Sequence, residues 1–208
     1  MYTPTMTIAE ILAEYDKDLP QILSVCDAKQ PKVDKIIRRS SLFPVYLHSS
    51  IRSKRGNDWL LLFEAHNKKE IGDYCRVTLV STFDSPHGRY TIIWTTINDK
   101  PVHIIFQPHF FSRYSQRTGA DLSGLELIHR YFKLNNSFGI TSKKELYDNK
   151  MYLNAYGSTN EGIALGYWLN SESPAILFKT FITYDMCKGQ QIELFAQADT
   201  IRKEIHES

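Results

Sequence analysis

The chain has 208 residues, of which 42% are hydrophobic and 23% charged, and a formal net charge of +2. These are ordinary globular values, which exclude extensive disorder and low-complexity or fibrous architectures. The uninterrupted apolar runs, such as Trp59 to Phe63, fall far short of the ~20 residues that cross a bilayer, so no membrane partner is expected.

Thr7-Ile8-Ala9-Glu10 has the form of a helix capping box, and Ile8, Ile11, Leu12 and Tyr15 follow at helical spacing. Leu19, Ile22, Leu23 and Cys26 repeat the pattern after Asp18, with Pro20 placed near a second helix start. Val33, Ile36 and Ile37 mark a third short helix. Residues 1–40 therefore read as an N-terminal helical unit, and residues 41–208 as an α+β domain.

Phe43 to Ser53 and Asp58 to Ala65 read as strands around the turn Lys54-Arg55-Gly56-Asn57. Tyr74 to Phe83 and Arg89 to Asn98 follow, joined by Asp84-Ser85-Pro86-His87-Gly88, and Asn98 to Pro101 leads into the apolar run Val102 to Phe106. Brief connections between these segments predict an antiparallel meander. A helix is expected from Pro108 to about Arg117 with Gly119 as its cap. A second opens on the capping-box pattern Ser123-Gly124-Leu125-Glu126 and buries Leu125, Ile128 and Phe132. After a polar connection from Leu134, three more strands are expected at Met151 to Tyr156, Gly162 to Trp168 and Ala175 to Tyr184, with Asn170 to Pro174 as a turn. Gly189 to about Ile205 reads as an amphipathic helix with Ile192, Phe195, Ala196 and Ile201 inward. The predicted fold class is α+β, built mostly on antiparallel sheet.

The opening segment lacks a cationic n-region and carries Glu10, Glu14 and Asp16 where a signal peptide stays apolar. Cys26, Cys75 and Cys187 are odd in number and far apart, which fits a reducing compartment and small buried side chains rather than a disulfide framework. The expectation is a cytoplasmic protein. The seven histidines are scattered, and neither a C-x-x-C nor an H-x-x-x-H pair occurs, so no metal is expected. The ten glycines form no phosphate-loop or dinucleotide fingerprint, and no nucleophile elbow is present. No cofactor is expected.

Two features carry chemistry. In Pro108-His109-Phe110-Phe111-Ser112-Arg113-Tyr114-Ser115-Gln116-Arg117, the residues His109, Arg113 and Arg117 stand four apart. Each step rotates only about 40° on a helix, so the three share one face and are suited to a phosphate. A solvated basic face opposite the apolar stripe Phe106, Phe110 and Tyr114 explains the same spacing without chemistry. With Pro108 at the first helical position, the helix dipole and both arginines disfavour protonation of His109, the state an acid-base residue needs. Secondly, Lys29 to Arg55 holds eight basic residues against the single acid Asp34, a local charge of +7 in a chain that nets +2. Lys35, Arg38 and Arg39 are its centre, and such a field suits RNA or an acidic protein partner.

A strand, a helix bearing H-x3-R-x3-R followed by Thr118-Gly119, a second helix, and antiparallel strands ending in Ile176-Leu177-Phe178-Lys179-Thr180-Phe181-Ile182 together resemble the barnase/colicin/RelE-like toxin-nuclease superfamily. The resemblance covers about residues 102–184. It implies metal-independent RNA cleavage, with His109 as general acid or base and Arg113 and Arg117 neutralising the developing phosphorane. Thr180 or Lys179 would then contact a phosphate oxygen; the two alternate across a strand, and which of them faces the site is open at this point. An antitoxin-like acidic protein is the partner that the resemblance implies. The alternative function is a non-enzymatic nucleic-acid or protein-binding module that uses residues 29–55.

Overall fold

The computed structural model describes the chain apart from residues 73, 74, 136, 170–173, 189–191, 194, 197, 198, 201 and 203–208. It is α+β, and nine strands hydrogen-bond in the order β1-β2-β3-β4-β5-β9-β8-β7-β6. Two compact units are distinguished, Met1–Pro86 with Thr91–Trp94 and His87–Tyr90 with Thr95–Ser208.

In the first unit, the three expected helical segments are one helix, α1 (Ile8–Arg39), with Pro20 and Pro31 inside it. The capping box forms as the sequence predicts, Glu10 N donating to Thr7 Oγ1 at 3.3 Å and Thr7 N to Glu10 Oε2 at 2.7 Å. Burial explains why the prolines do not end the helix. Ile11, Tyr15, Ile22, Cys26, Val33 and Ile37 are buried, so the pair Ile11/Tyr15 recurs eleven residues later at Ile22/Cys26 and again at Val33/Ile37. Eleven residues make almost three whole turns, so the apolar stripe stays straight along the helix. Both prolines lie on the exposed side, where the carbonyls that lose a donor are left to water.

The strands β1 (Val45–Arg52), β2 (Asp58–Ala65) and β3 (Arg76–Ser85) pair antiparallel, with Val45 opposite Ala65 and Asp58 opposite Thr82. Central β2 is buried from Trp59 to Ala65. The turn between β1 and β2 closes through Ser53 N to the Asn57 carbonyl at 2.8 Å, with Gly56 at φ 83°, a conformation glycine adopts without strain. Strand β4 (Gly88–Ile97) follows, and Asn98 and Asp99, both at positive φ, turn it into β5 (Lys100–Phe106).

In the second unit, β5 runs into α2 (Pro108–Thr118), which ends at Gly119 in the left-handed conformation (φ 68°), and then α3 (Gly124–Leu134). The expected capping box of α3 does not form: Ser123 occupies the cap position without a side-chain hydrogen bond. Leu125 is 44% exposed, and the buried face is Leu127, Ile128, Tyr131 and Phe132. The polar connection after Leu134 contains a strand the periodicity did not indicate, β6 (Gly139–Tyr147), which forms a hairpin with β7 (Lys150–Ser158) through Asp148 and Asn149 at positive φ. Next come β8 (Ile163–Leu169), β9 (Ala175–Ile182) and a short 3₁₀ turn at Tyr184–Met186. Strand β9 lies parallel to β5, with Phe106 opposite Phe178, and antiparallel to β8.

The core between α2, α3 and this sheet is aromatic. Phe106 lies 4.9 Å from Phe110, 5.5 Å from Phe132 and 5.6 Å from Phe178 between ring centroids. The first two pairs are edge-to-face, an arrangement that adds roughly 0.5–1.5 kcal/mol each beyond the buried area. Of the terminal helix, Phe195 is buried against Ile163 and Ile182 as expected. Ile192 is 58% exposed, Ala196 is exposed too, and Ile201 lies outside the described residues, as do Tyr74 and most of the turn at 170–174. Among the described residues no helix is long and apolar enough to cross a membrane.

Candidate nucleic-acid interface

Pro108 opens α2, and the aromatic stripe Phe110, Phe111 and Tyr114 fixes the helix against the sheet. His109 and Arg113 are thereby turned outward and are exposed. Arg113 Nη1 donates to Gln116 Oε1 at 3.0 Å on the same helix. Arg117 differs. It is half-buried, and its Nη1 donates to the Phe181 carbonyl and to Thr180 Oγ1, the latter at 3.3 Å. The reason is where β5 stops. Its last rung is Phe106 opposite Phe178, extended by Gln107 N donating to the Phe178 carbonyl at 3.0 Å. Beyond Phe178 that flank of β9 has no strand paired to it among the described residues, and the Arg117 guanidinium takes the place of a backbone donor.

Arg117 and Thr180 are therefore brought together, and Lys179 is not. Between β8 and β9 the register moves from Leu165 opposite Thr180 to Gly166 opposite Phe178, so Lys179 is the extra residue of a β-bulge. Simple alternation fails here: Phe178 and Phe181, three apart, both pack on Phe110, at 6.4 and 6.0 Å. The Lys179 ammonium instead lies 4.6 Å from the centre of the Tyr167 ring.

Beneath α2 is a polar network that no sequence spacing indicated. The Tyr114 hydroxyl donates to Glu161 in the turn between β7 and β8. Arg130 of α3 donates to both, and Asn135 Nδ2 donates to Glu161 Oε2 at 2.7 Å. Burial opposes ionisation of Glu161, but donors from Tyr114, Asn135 and Arg130 outweigh it and hold the carboxyl below its ordinary value. Burial, reinforced by Glu161, pushes the Tyr114 hydroxyl up. The acceptors of this carboxylate are taken up by its own neighbours, so the network fastens α2, α3 and the β7–β8 turn together.

The basic segment separates into two parts. Arg55 donates through Nε to Glu14 Oε1 at 2.8 Å and through Nη2 to Oε2 at 2.6 Å, and Arg52 pairs with Asp58 at 3.8 Å. Glu14 is buried, as is Asp18 one turn on, which accepts from Asn57 Nδ2 at 2.7 Å and Trp59 Nε1 at 3.2 Å. The Arg55 hydrogen bonds hold the Glu14 carboxyl down at about 2 against the opposing effect of burial, with the Met1 ammonium and Asn57 adding to them. The Arg52–Asp58 pair is exposed on both sides, whereas the Glu14, Asp18 and Arg55 charges serve the fold.

Lys32, Lys35, Arg38 and Arg39 do not. They are exposed on the last two turns of α1, and no hydrogen bond or ion pair holds their side chains among the described residues. Lys35, Arg38 and Arg39 line a groove along the outer side of the helix, together with Pro31, Asp27 and Asp34. Asp34 accepts from Gln30 Nε2 at 2.8 Å and from Gly72 N at 2.9 Å, which turns its carboxylate toward neutral donors. Four cations within two turns outweigh the half-charge of the helix C-terminal dipole several-fold. Of the two tryptophans in this unit, Trp59 is buried against Tyr15 at 4.7 Å, whereas Trp94 is 42% exposed.

No protein-family model, no curated protein and no solved structure matches this chain.

Proposed function

We propose that the chain binds RNA, holding its phosphate backbone on the cationic end of α1. The observation that supports this most is the set Lys32, Lys35, Arg38 and Arg39, exposed and without carboxylate partners among the described residues, the last three lining a groove. Cytoplasmic residence belongs to this reading. Replacing Lys35, Arg38 and Arg39 with glutamine should weaken RNA binding about a hundredfold or more at moderate salt, since each phosphate contact contributes on the order of 1 kcal/mol. Fluorescence anisotropy on a labelled RNA measures this, and unchanged affinity would overturn the reading. An acidic peptide that competes as well as RNA at equal charge would point to a protein partner instead.

A second reading, metal-independent RNA cleavage, is favoured by one observation, the hydrogen bond of Arg117 to Thr180 at 3.3 Å from the helix that also carries the exposed His109 and Arg113. In that reading His109 takes the proton of the ribose 2′-hydroxyl as its oxygen bonds to phosphorus, the P–O5′ bond breaks and the leaving 5′-oxygen takes a proton from water, while Arg113 neutralises the phosphorane. His109→Ala should then abolish cleavage while leaving RNA affinity intact. Cleavage that survives the substitution would remove His109 from the reaction.

A further inference from the structure

The hairpin of β6 and β7 extends past the rest of its sheet. Strand β8 pairs with β7 only from Asn154 to Ser158, so Lys144 to Leu153 form a two-stranded ribbon with no third strand paired to it among the described residues. A Cβ at Gly157 would strike Phe178 and Phe138, which places Gly157, and by alternation Ala155 and Leu153, on the side of the aromatic core. Tyr152 and Asn154 therefore face the other way. By register the same face carries Tyr147 opposite Lys150, Glu145 opposite Tyr152, and Lys143 beside Asn154 and Tyr167.

Three tyrosines thus form a diagonal across β6, β7 and β8. Tyr147 is 76% and Tyr152 37% exposed, and the Tyr152 and Tyr167 rings are 6.2 Å apart. Same-face diagonal neighbours stand about 7–8 Å apart, so Tyr147 continues the line. Lys150 flanks it at one end, and Lys179, displaced onto this face by the β-bulge, lies over Tyr167 at the other. Glu145 is the one acid that β6 to β9 themselves place on this face among the described residues, and Asp199 of the C-terminal segment reaches Ser158 at the end away from Tyr147. Glu145 accepts from Asn154 Nδ2 at 2.5 Å and pairs with Lys143 at 3.4 Å.

We infer that this diagonal is a stacking strip for single-stranded RNA, with unpaired bases on Tyr147 and Tyr152 and phosphates near Lys150 and Lys179. The inference rests on the RNA-binding reading for the identity of its ligand and on separate residues for its position. Tyrosine faces accept any base, and the lysines supply the matching charge for the backbone. A duplex, whose bases stack on one another, gains nothing from the strip.

The test compares an oligouridylate of about ten nucleotides, an abasic ribose-phosphate strand of the same length and an RNA duplex on the full chain. Tyr147→Leu and Tyr152→Leu, both at exposed positions, should each weaken oligouridylate binding by about tenfold and leave abasic and duplex binding unchanged. Unchanged oligouridylate affinity in both variants, or equal affinity of the unaltered protein for the abasic strand, would overturn the strip. Loss of self-association in the tyrosine variants, with RNA affinity intact, would overturn it in favour of a protein interface that includes the neighbouring Leu146 and Met151. The Lys35/Arg38/Arg39 variant separates the two claims: duplex affinity that falls in it while the tyrosine variants stay silent sinks the strip alone. Duplex affinity that stays constant while the tyrosine variants weaken binding sinks the α1 reading alone.

Discussion

Arg117 shows how one residue can fit a catalytic spacing and serve the fold. Its guanidinium covers the flank of β9 that β5 leaves after Phe106, donating to the Phe181 carbonyl. Arg117→Ala should therefore destabilise the protein by about 1–3 kcal/mol, the cost of a carbonyl on the buried residue Phe181 that loses a charged donor. Urea unfolding measures this, and partial recovery in Arg117→Lys is expected; a loss near zero would return the residue to a purely phosphate-facing role. Glu14 supplies the residue-scale pH dependence. Its folded value lies near 2, below the ordinary 4.5, so its contribution is fully present above about pH 4.5 and is lost as the pH falls toward 2. In Glu14→Gln the stability curve measured by denaturant titration should be lower at neutral pH and flatter across that window. The spacing of His109, Arg113 and Arg117 was legible from sequence, but the divergence of Arg117 was not, because the exposed flank of β9 is a tertiary fact.

At the scale of elements, α1 is the clearest case of packing overriding local preference. A proline in a helix interior costs about 3 kcal/mol relative to alanine, and the helix contains two. The eleven-residue recurrence of buried side chains carries it through both. Pro31→Ala should raise stability by about 2 kcal/mol, the regained helical propensity less roughly 1 kcal/mol of added freedom in the unfolded chain. Thermal unfolding tests this; destabilisation would mean that the proline shapes the groove it lines. The sequence pattern divided this helix into three, with Pro20 read as lying near a start, and the recurrence is visible only when the segments are read as one. Strand β6 was missed for the opposite reason. Ser142, Lys143, Lys144 and Glu145 carry no apolar alternation, since β6 is the edge of its sheet and half of its length is the exposed ribbon.

For the whole molecule, composition and turn chemistry were enough to establish the α+β class and most strand positions. β2 and β5 are apolar runs bounded by turn residues, and Gly56, Asn98 and Asp99 stand at positive φ where the turns were expected. The parallel placement of β9 beside β5 was not legible, because parallel neighbours are joined through α2, α3 and three intervening strands. The charge asymmetry was legible as an excess between Lys29 and Arg55, but not its division into Arg55, held by the buried Glu14, and the exposed set on α1. That division is the basis of the functional account. Its most direct test is the dependence of RNA affinity on salt, measured for the unaltered chain and for the variant with Lys35, Arg38 and Arg39 neutralised. Each single-strand phosphate contact contributes about −0.7 to the slope of log affinity against log salt, so the variant slope should be shallower by about 2. Equal slopes would contradict the account.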